Sequence, residues 1–194
     1  MNRLLLSLFL LCNGLMAMQP FSYTISESQY LLSTYFEMQG KEGYCGRIVK
    51  DHFNIRTVYD LYDPRNRFEA QGVCQVLSLG ALYPWAKDID VYDRYGNKIG
   101  FIDGQLLTTA AAKYGIYNAR DVLVANAYLD AQSSGFTIMT PDERTIARFK
   151  RNYIQDDLDF WNIDIYDTNA IDLRLLKVFS GFAIDFQEFF KEDR

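Results

Sequence analysis

The run Leu173-Arg-Leu-Leu-Lys-Val-Phe-Ser-Gly-Phe-Ala-Ile-Asp-Phe-Gln-Glu-Phe-Phe190 decides how this chain folds. Placed at a helical 100° per residue, Leu175, Leu176, Phe179, Phe182, Ala183, Phe186 and Phe190 merge into one broad apolar face. Val178 and Phe189 widen it, and Leu173 and Ile184 lie on its flank. Arg174, Lys177, Gly181, Asp185 and Glu188 leave only a narrow polar stripe, and Asp172 stands where an N-cap is needed. A helix that is apolar on most sides has to be enclosed by other elements. Those charges also argue against a membrane span, since one charge near the centre of a bilayer costs about 2.5–3.5 kcal/mol even on the gentler insertion scale.

What precedes the helix reads as short β-strands. Residues 21–50 are ambiguous between helix and strand; the β-branched and aromatic content of 30–38 favours a strand, Gly40-Lys-Glu-Gly43 a turn, and 44–49 the returning strand. A theme then repeats. Residues 57–70 give strand, Asp-Pro turn, strand, and residues 90–103 do the same around Gly-Asn. Residues 114–128 fold about Asn118, residues 136–150 complete the series, and 159–166 alternate apolar with polar. Turn-forming residues between β-like runs, with no amphipathic helix separating them, predict a meander of hairpins in one domain spanning 18–194. So many strands must close or cover their edges, and closure around the terminal helix does both.

The hairpin Val91-Tyr-Asp-Arg-Tyr-Gly-Asn-Lys-Ile-Gly-Phe-Ile-Asp-Gly104, the segment 136–150 and the ending Ile171-Asp-Leu-Arg-Leu-Leu-Lys-Val-Phe-Ser-Gly-Phe-Ala-Ile-Asp185 resemble the LURP-one-related proteins of the tubby C-terminal-like superfamily. The resemblance runs over roughly residues 30–190. It implies a mainly β fold, a closed antiparallel barrel of about twelve strands around a central C-terminal helix at about 172–190. It also implies a non-catalytic binding or scaffolding role. Tubby domains bind phosphoinositides and scramblases are associated with phospholipid membranes, so an acidic lipid headgroup or another anionic ligand is the expected class.

The first residues follow the three-part pattern of an export signal. Arg3 supplies the positive region, Leu4 to Leu11 the apolar core, and Asn13-Gly14 a break before a cleavage site placed after Ala17. The apolar run is too short to span a bilayer, so a secreted or periplasmic monomer without a transmembrane anchor is expected. Removing residues 1–17 leaves 19 basic against 25 acidic residues, a formal charge of −6. That balance speaks against nucleic acid as a partner and leaves an anionic phospholipid or a protein as the expected one.

Removal of residues 1–17 also leaves two cysteines, Cys45 and Cys74. In an oxidising compartment an even pair predicts a disulfide, closing a loop of about 30 residues and adding about 3 kcal/mol; two independent buried thiols are the other reading.

Catalytic signals are sparse. The single histidine, His52, follows Cys45 by seven residues, and a hydrolase using that pair or carboxylates is the alternative to a binding protein. No serine-hydrolase, zinc, redox, P-loop or dinucleotide fingerprint occurs, so no cofactor or metal is expected. The acidic groups Asp88, Asp90, Asp93 and Asp156, Asp157, Asp159 lack the spacing of a calcium loop and read as solvated turn residues. In the strand around residues 144–152, period two projects Arg144, Arg148 and Lys150 from one face, the set most suited to a phosphate or acidic headgroup.

Overall fold

The computed structural model describes residues 21–76, 86–105, 113–130, 135–152 and 160–186. The proposed export signal, Asp156, Asp157 and Asp159, and the helix extension over 187–190 lie outside these residues. Twelve antiparallel strands close into a barrel around one helix. In chain order they are β1 (Phe21–Gln29), β2 (Ser33–Gly40), β3 (Gly43–Asp51), β4 (Val58–Tyr62), β5 (Phe68–Cys74) and β6 (Ile89–Asp93). There follow β7 (Lys98–Gln105), β8 (Lys113–Asn118), β9 (Leu123–Leu129), β10 (Gly135–Met139), β11 (Thr145–Asn152) and β12 (Phe160–Ile165). Each strand pairs with its neighbours in sequence, and β1 closes the cylinder against β12 from Phe21↔Ile165 to Ser26↔Phe160. Closure removes both sheet edges.

Alternation decides which side chains point inward. Tyr23 and Ile25, Phe36 and Met38, and Trp161, Ile163 and Ile165 are all buried at every second position of their strands. An eight-stranded barrel is filled by its own side chains, whereas twelve strands leave an axial space. The helix α1 (Leu173–Asp185) occupies it, buried at every residue from Leu175 to Ile184. Asp172 caps it as expected, its side chain accepting from Arg174 N–H. Phe179 sits at the centre, its ring 5.2 Å from Tyr114, 5.3 Å from Phe136 and 5.6 Å from Phe149. Where helix and wall come closest the wall or the helix has no side chain: a Cβ on Gly72 would lie 2.5 Å from Val178, and one on Gly181 2.8 Å from Ile48.

The polar stripe of the helix faces β3, β4 and β5. Lys177 Nζ lies 3.5 Å from Glu69 of β5. One helical repeat on, Gly181 meets Ile48, and the next, Asp185, accepts from Lys50 Nζ at 2.6 and 2.7 Å and from the Tyr59 hydroxyl at 2.6 Å. The buried Tyr23 hydroxyl meets Ser180 Oγ at 3.2 Å on another side.

The expected disulfide does not form; Cys45 and Cys74 are free thiols. Cys45 lies near the start of β3, while Cys74 ends β5, its N–H bonded to Thr57 just before β4. The pairing Lys50↔Tyr59 places Cys74 level with the far end of β3. The two cysteines are thus about 20 Å apart along the barrel at ~3.3 Å per residue, whereas a bridge needs Cα atoms within about 7 Å.

Candidate functional site

The two ends of the barrel are built differently. One carries tight turns and the N-terminus of α1; the other carries the longer connections, such as 30–32, 52–57 and 75–88, and the C-terminus of the helix. At the turn end four hairpins share one construction. Asp63, Asp93, Asn118 and Thr140 each close a turn in which the residue three later donates back to their carbonyl. That later residue, Asn66, Gly96, Asp121 or Glu143, has φ of 59°, 82°, 58° or 65°. Each turn is followed by a register shift in the flanking strands. This is a type I turn with a left-handed residue forming a bulge, repeated around the rim.

The loop end is the surface with chemistry left over. Tyr30, Leu31 and Leu32 project from the β1–β2 loop and Phe53 and Ile55 from the β3–β4 loop, with Leu31 and Ile55 91% and 101% exposed. The loops are joined where His52 N–H donates to Leu32 C=O at 3.1 Å. Val76 adds an exposed apolar side chain at the same end. At the turn end Tyr95 and Val122 are exposed too, but singly, in separate turns.

Inside this end the ionisable groups are buried or bound. Burial pushes the Cys74 thiol up to about 12, against the opposing pull of Lys87. Burial also raises Tyr59, helped by the Asp185 charge. Asp88 is raised by burial, opposed by the Gly104 N–H at 3.3 Å, with the Asp103 carboxyl beside it. A protonated thiol and an already paired carboxylate are poor catalysts; this interior holds the helix in place.

The residues singled out from sequence are distributed as follows. Cys45 and His52 sit at opposite ends of β3, about 23 Å apart at ~3.3 Å per residue, and His52 Nε2 is engaged by Thr34 Oγ1 at 2.8 Å. The Cys–His pair is not assembled. Among the described residues no group of His, Cys, Asp or Glu is placed to hold a metal; Asp88 lies beside Asp103, Asp90 pairs with Lys98 at 2.9 Å, and Asp93 builds a turn. Arg148 and Lys150 do share the outer face of β11, opposite Asp164 and Asn162 of β12. Arg144 does not join them. The bulge at Ile138/Met139 turns Ile146 and Ala147 both inward, so Arg144 falls in the turn before β11 and pairs with Asp167.

An outer groove of about 580 Å³ opens below the 30–32 loop. Its wall carries Tyr35 and Glu37 of β2 and Arg47 of β3. The Tyr30 ring stands edge-on to Tyr35, centres 5.1 Å apart and planes at 82°. The Arg47 guanidinium lies between Tyr35 and Tyr62, 5.2 and 5.6 Å from their ring centres. Sequence reasoning missed this groove because residues 30–38 read as one strand. The signal was available: Thr34, Phe36 and Met38 keep the alternation, and Tyr30-Leu31-Leu32 breaks it.

No family model matches the chain, and no curated protein matches it. Its fold is similar to that in the X-ray structure of a protein from Arabidopsis thaliana, with a TM-score of 0.58 and 7% identity over 87% of this chain and 93% of that one. At such identity the likeness is one of fold.

Proposed function

We propose that this is a non-catalytic binding protein of the LURP-one-related, tubby-like kind that docks its loop-bearing rim on a phospholipid surface. The observation that carries the reading is the collection of Tyr30, Leu31, Leu32, Phe53 and Ile55 on two joined loops at one end of a barrel whose interior is filled. Side chains this exposed form protruding tips, the shape that enters the interfacial layer of a bilayer. Arg148 and Lys150 flank the same side, on the stave two strands from β1, and supply contacts to acidic headgroups. The kinship is supported by the order of hairpins and final helix and by the fold likeness to the plant protein. On this reading the leader at 1–17 delivers the protein to an exported location.

Vesicle flotation tests it. The protein should float with vesicles containing acidic phospholipid. Leu31→Ser/Leu32→Ser should lose most of that binding, and Arg148→Gln/Lys150→Gln should lose the part that added salt weakens. Absence of wild-type binding to any vesicle at low salt overturns the proposal.

A further inference from the structure

From the groove beside that rim we infer a binding site for a phosphocholine headgroup. The inference rests on the rim docking on phospholipid and names the headgroup it selects.

Glu37 and Arg47 are direct partners in the β2–β3 register. Opposite charges so placed ordinarily pair. Here no ion pair joins them among the described residues: Arg47 turns away to lie between two tyrosine rings, and its Nε is buried with no hydrogen-bond partner. Glu37 is exposed on the neighbouring strand. The groove therefore presents a cation and an anion side by side that no ion pair joins. That arrangement is complementary to a zwitterion whose own charges are a few bonds apart.

The chemistry of each half narrows the class. The Arg47 guanidinium lines the groove without an ion-pair partner among the described residues, and a phosphate oxygen is the acceptor that Arg recognises best. The other pole is bounded by Glu37 and by the Tyr30 ring, which stands edge-on to Tyr35, the ring that carries the Arg47 guanidinium. Aromatic surfaces beside a carboxylate hold a quaternary ammonium, which needs electron-rich faces and has no N–H to satisfy. Leu31 and Leu32 continue the groove toward the rim, where the acyl chains of a docked lipid begin.

Water-soluble glycerophosphocholine, titrated into the ¹⁵N-labelled protein and followed by NMR and calorimetry, tests the site apart from the bilayer. The expected result is saturable binding that moves the Arg47 Nε–H and Glu37 amide signals. Arg47→Gln and Glu37→Gln should each weaken it about tenfold, and Tyr35→Leu about fivefold. Glu37 is exposed, so its variant keeps the fold, verified by an unchanged thermal melt. Glycerophosphoethanolamine should bind at least about fivefold more weakly. No saturable binding, equal binding of inorganic phosphate or of the ethanolamine compound, or indifference to Glu37→Gln overturns the inference. Phe53→Ser/Ile55→Ser, on the rim loop that does not line the groove, separates the two readings, since it should weaken vesicle flotation and leave the affinity for glycerophosphocholine intact. If vesicles bind while glycerophosphocholine does not, the headgroup site falls and rim docking stands. If glycerophosphocholine binds while vesicles do not, rim docking falls and the site remains.

Discussion

At the turn end of the barrel polar side chains are consumed by backbone; at the loop end they are buried, paired with the helix or left to solvent. Asp63 and Asp93 each accept two backbone N–H groups of their own turns through one carboxylate oxygen. Their carboxyls are held below the ordinary value, Asp63 chiefly by the Arg67 N–H and Asp93 chiefly by the Asn97 side chain. At the loop end Asp88 and Cys74 move the other way, because burial there outweighs the partners available. The contrast teaches where this fold has freedom. A turn whose geometry is fixed by its own hydrogen bonds can carry little else, whereas a rim of longer connections can expose Tyr30, Leu31 and Phe53 without loss to the barrel.

The largest expected effect falls on what the two ends share. Phe179→Ala removes the ring that joins Tyr114, Phe136 and Phe149 across the barrel and should cost about 3–5 kcal/mol in chemical denaturation. Hydrogen exchange should quicken at both ends together. Faster exchange confined to one end would mean that the helix does not unite them. A smaller effect separates them. Asp93→Ala deletes the acceptor of one turn and should lower stability measurably, while Leu31→Ser at the opposite rim should stay within about 0.5 kcal/mol of wild type. Equal costs by urea titration would erase the distinction.

The sequence carried the barrel because closure follows from local rules: alternation along residues 159–166, turn chemistry at Asp63, Asp93, Asn118 and Thr140, and a helix too apolar for any surface. It left β1 unassigned, since Phe21–Gln29 mixes serines with few apolar residues and becomes a strand only by pairing with both β12 and β2. The cysteine bridge was misread because an even count carries no distances; only register shows that Cys45 and Cys74 lie at opposite ends. Period two placed Arg148 and Lys150 correctly and Arg144 wrongly, because a bulge adds a residue that no alternation rule foresees. The Tyr35–Arg47–Tyr62 row was invisible because its members are 12 and 15 residues apart and meet only across strands.

The smallest effect is a difference of sign between the ends. Asp88 has its value raised in the folded state by burial, with Asp103 nearby. Its contribution to stability is therefore fully present below the ordinary carboxylate value and is lost as pH rises through the folded value. Asp172 behaves oppositely. Burial acts to raise it, but the Arg174 side chain, at 2.6 and 3.0 Å, and the Arg174 N–H overcome that and hold it low. Its contribution is present above the ordinary value and is lost as pH falls through the folded one. Asparagine imitates a protonated carboxyl at either place. Asp88→Asn should therefore match wild type at about pH 3 and be the more stable protein at about pH 7. Asp172→Asn should match wild type only at a more acidic pH, below the folded value, and be the less stable at about pH 7, having given up its charge on Arg174. Urea titrations across that range measure both differences. Two curves of the same sign would show that the ends do not differ in how they hold their carboxylates.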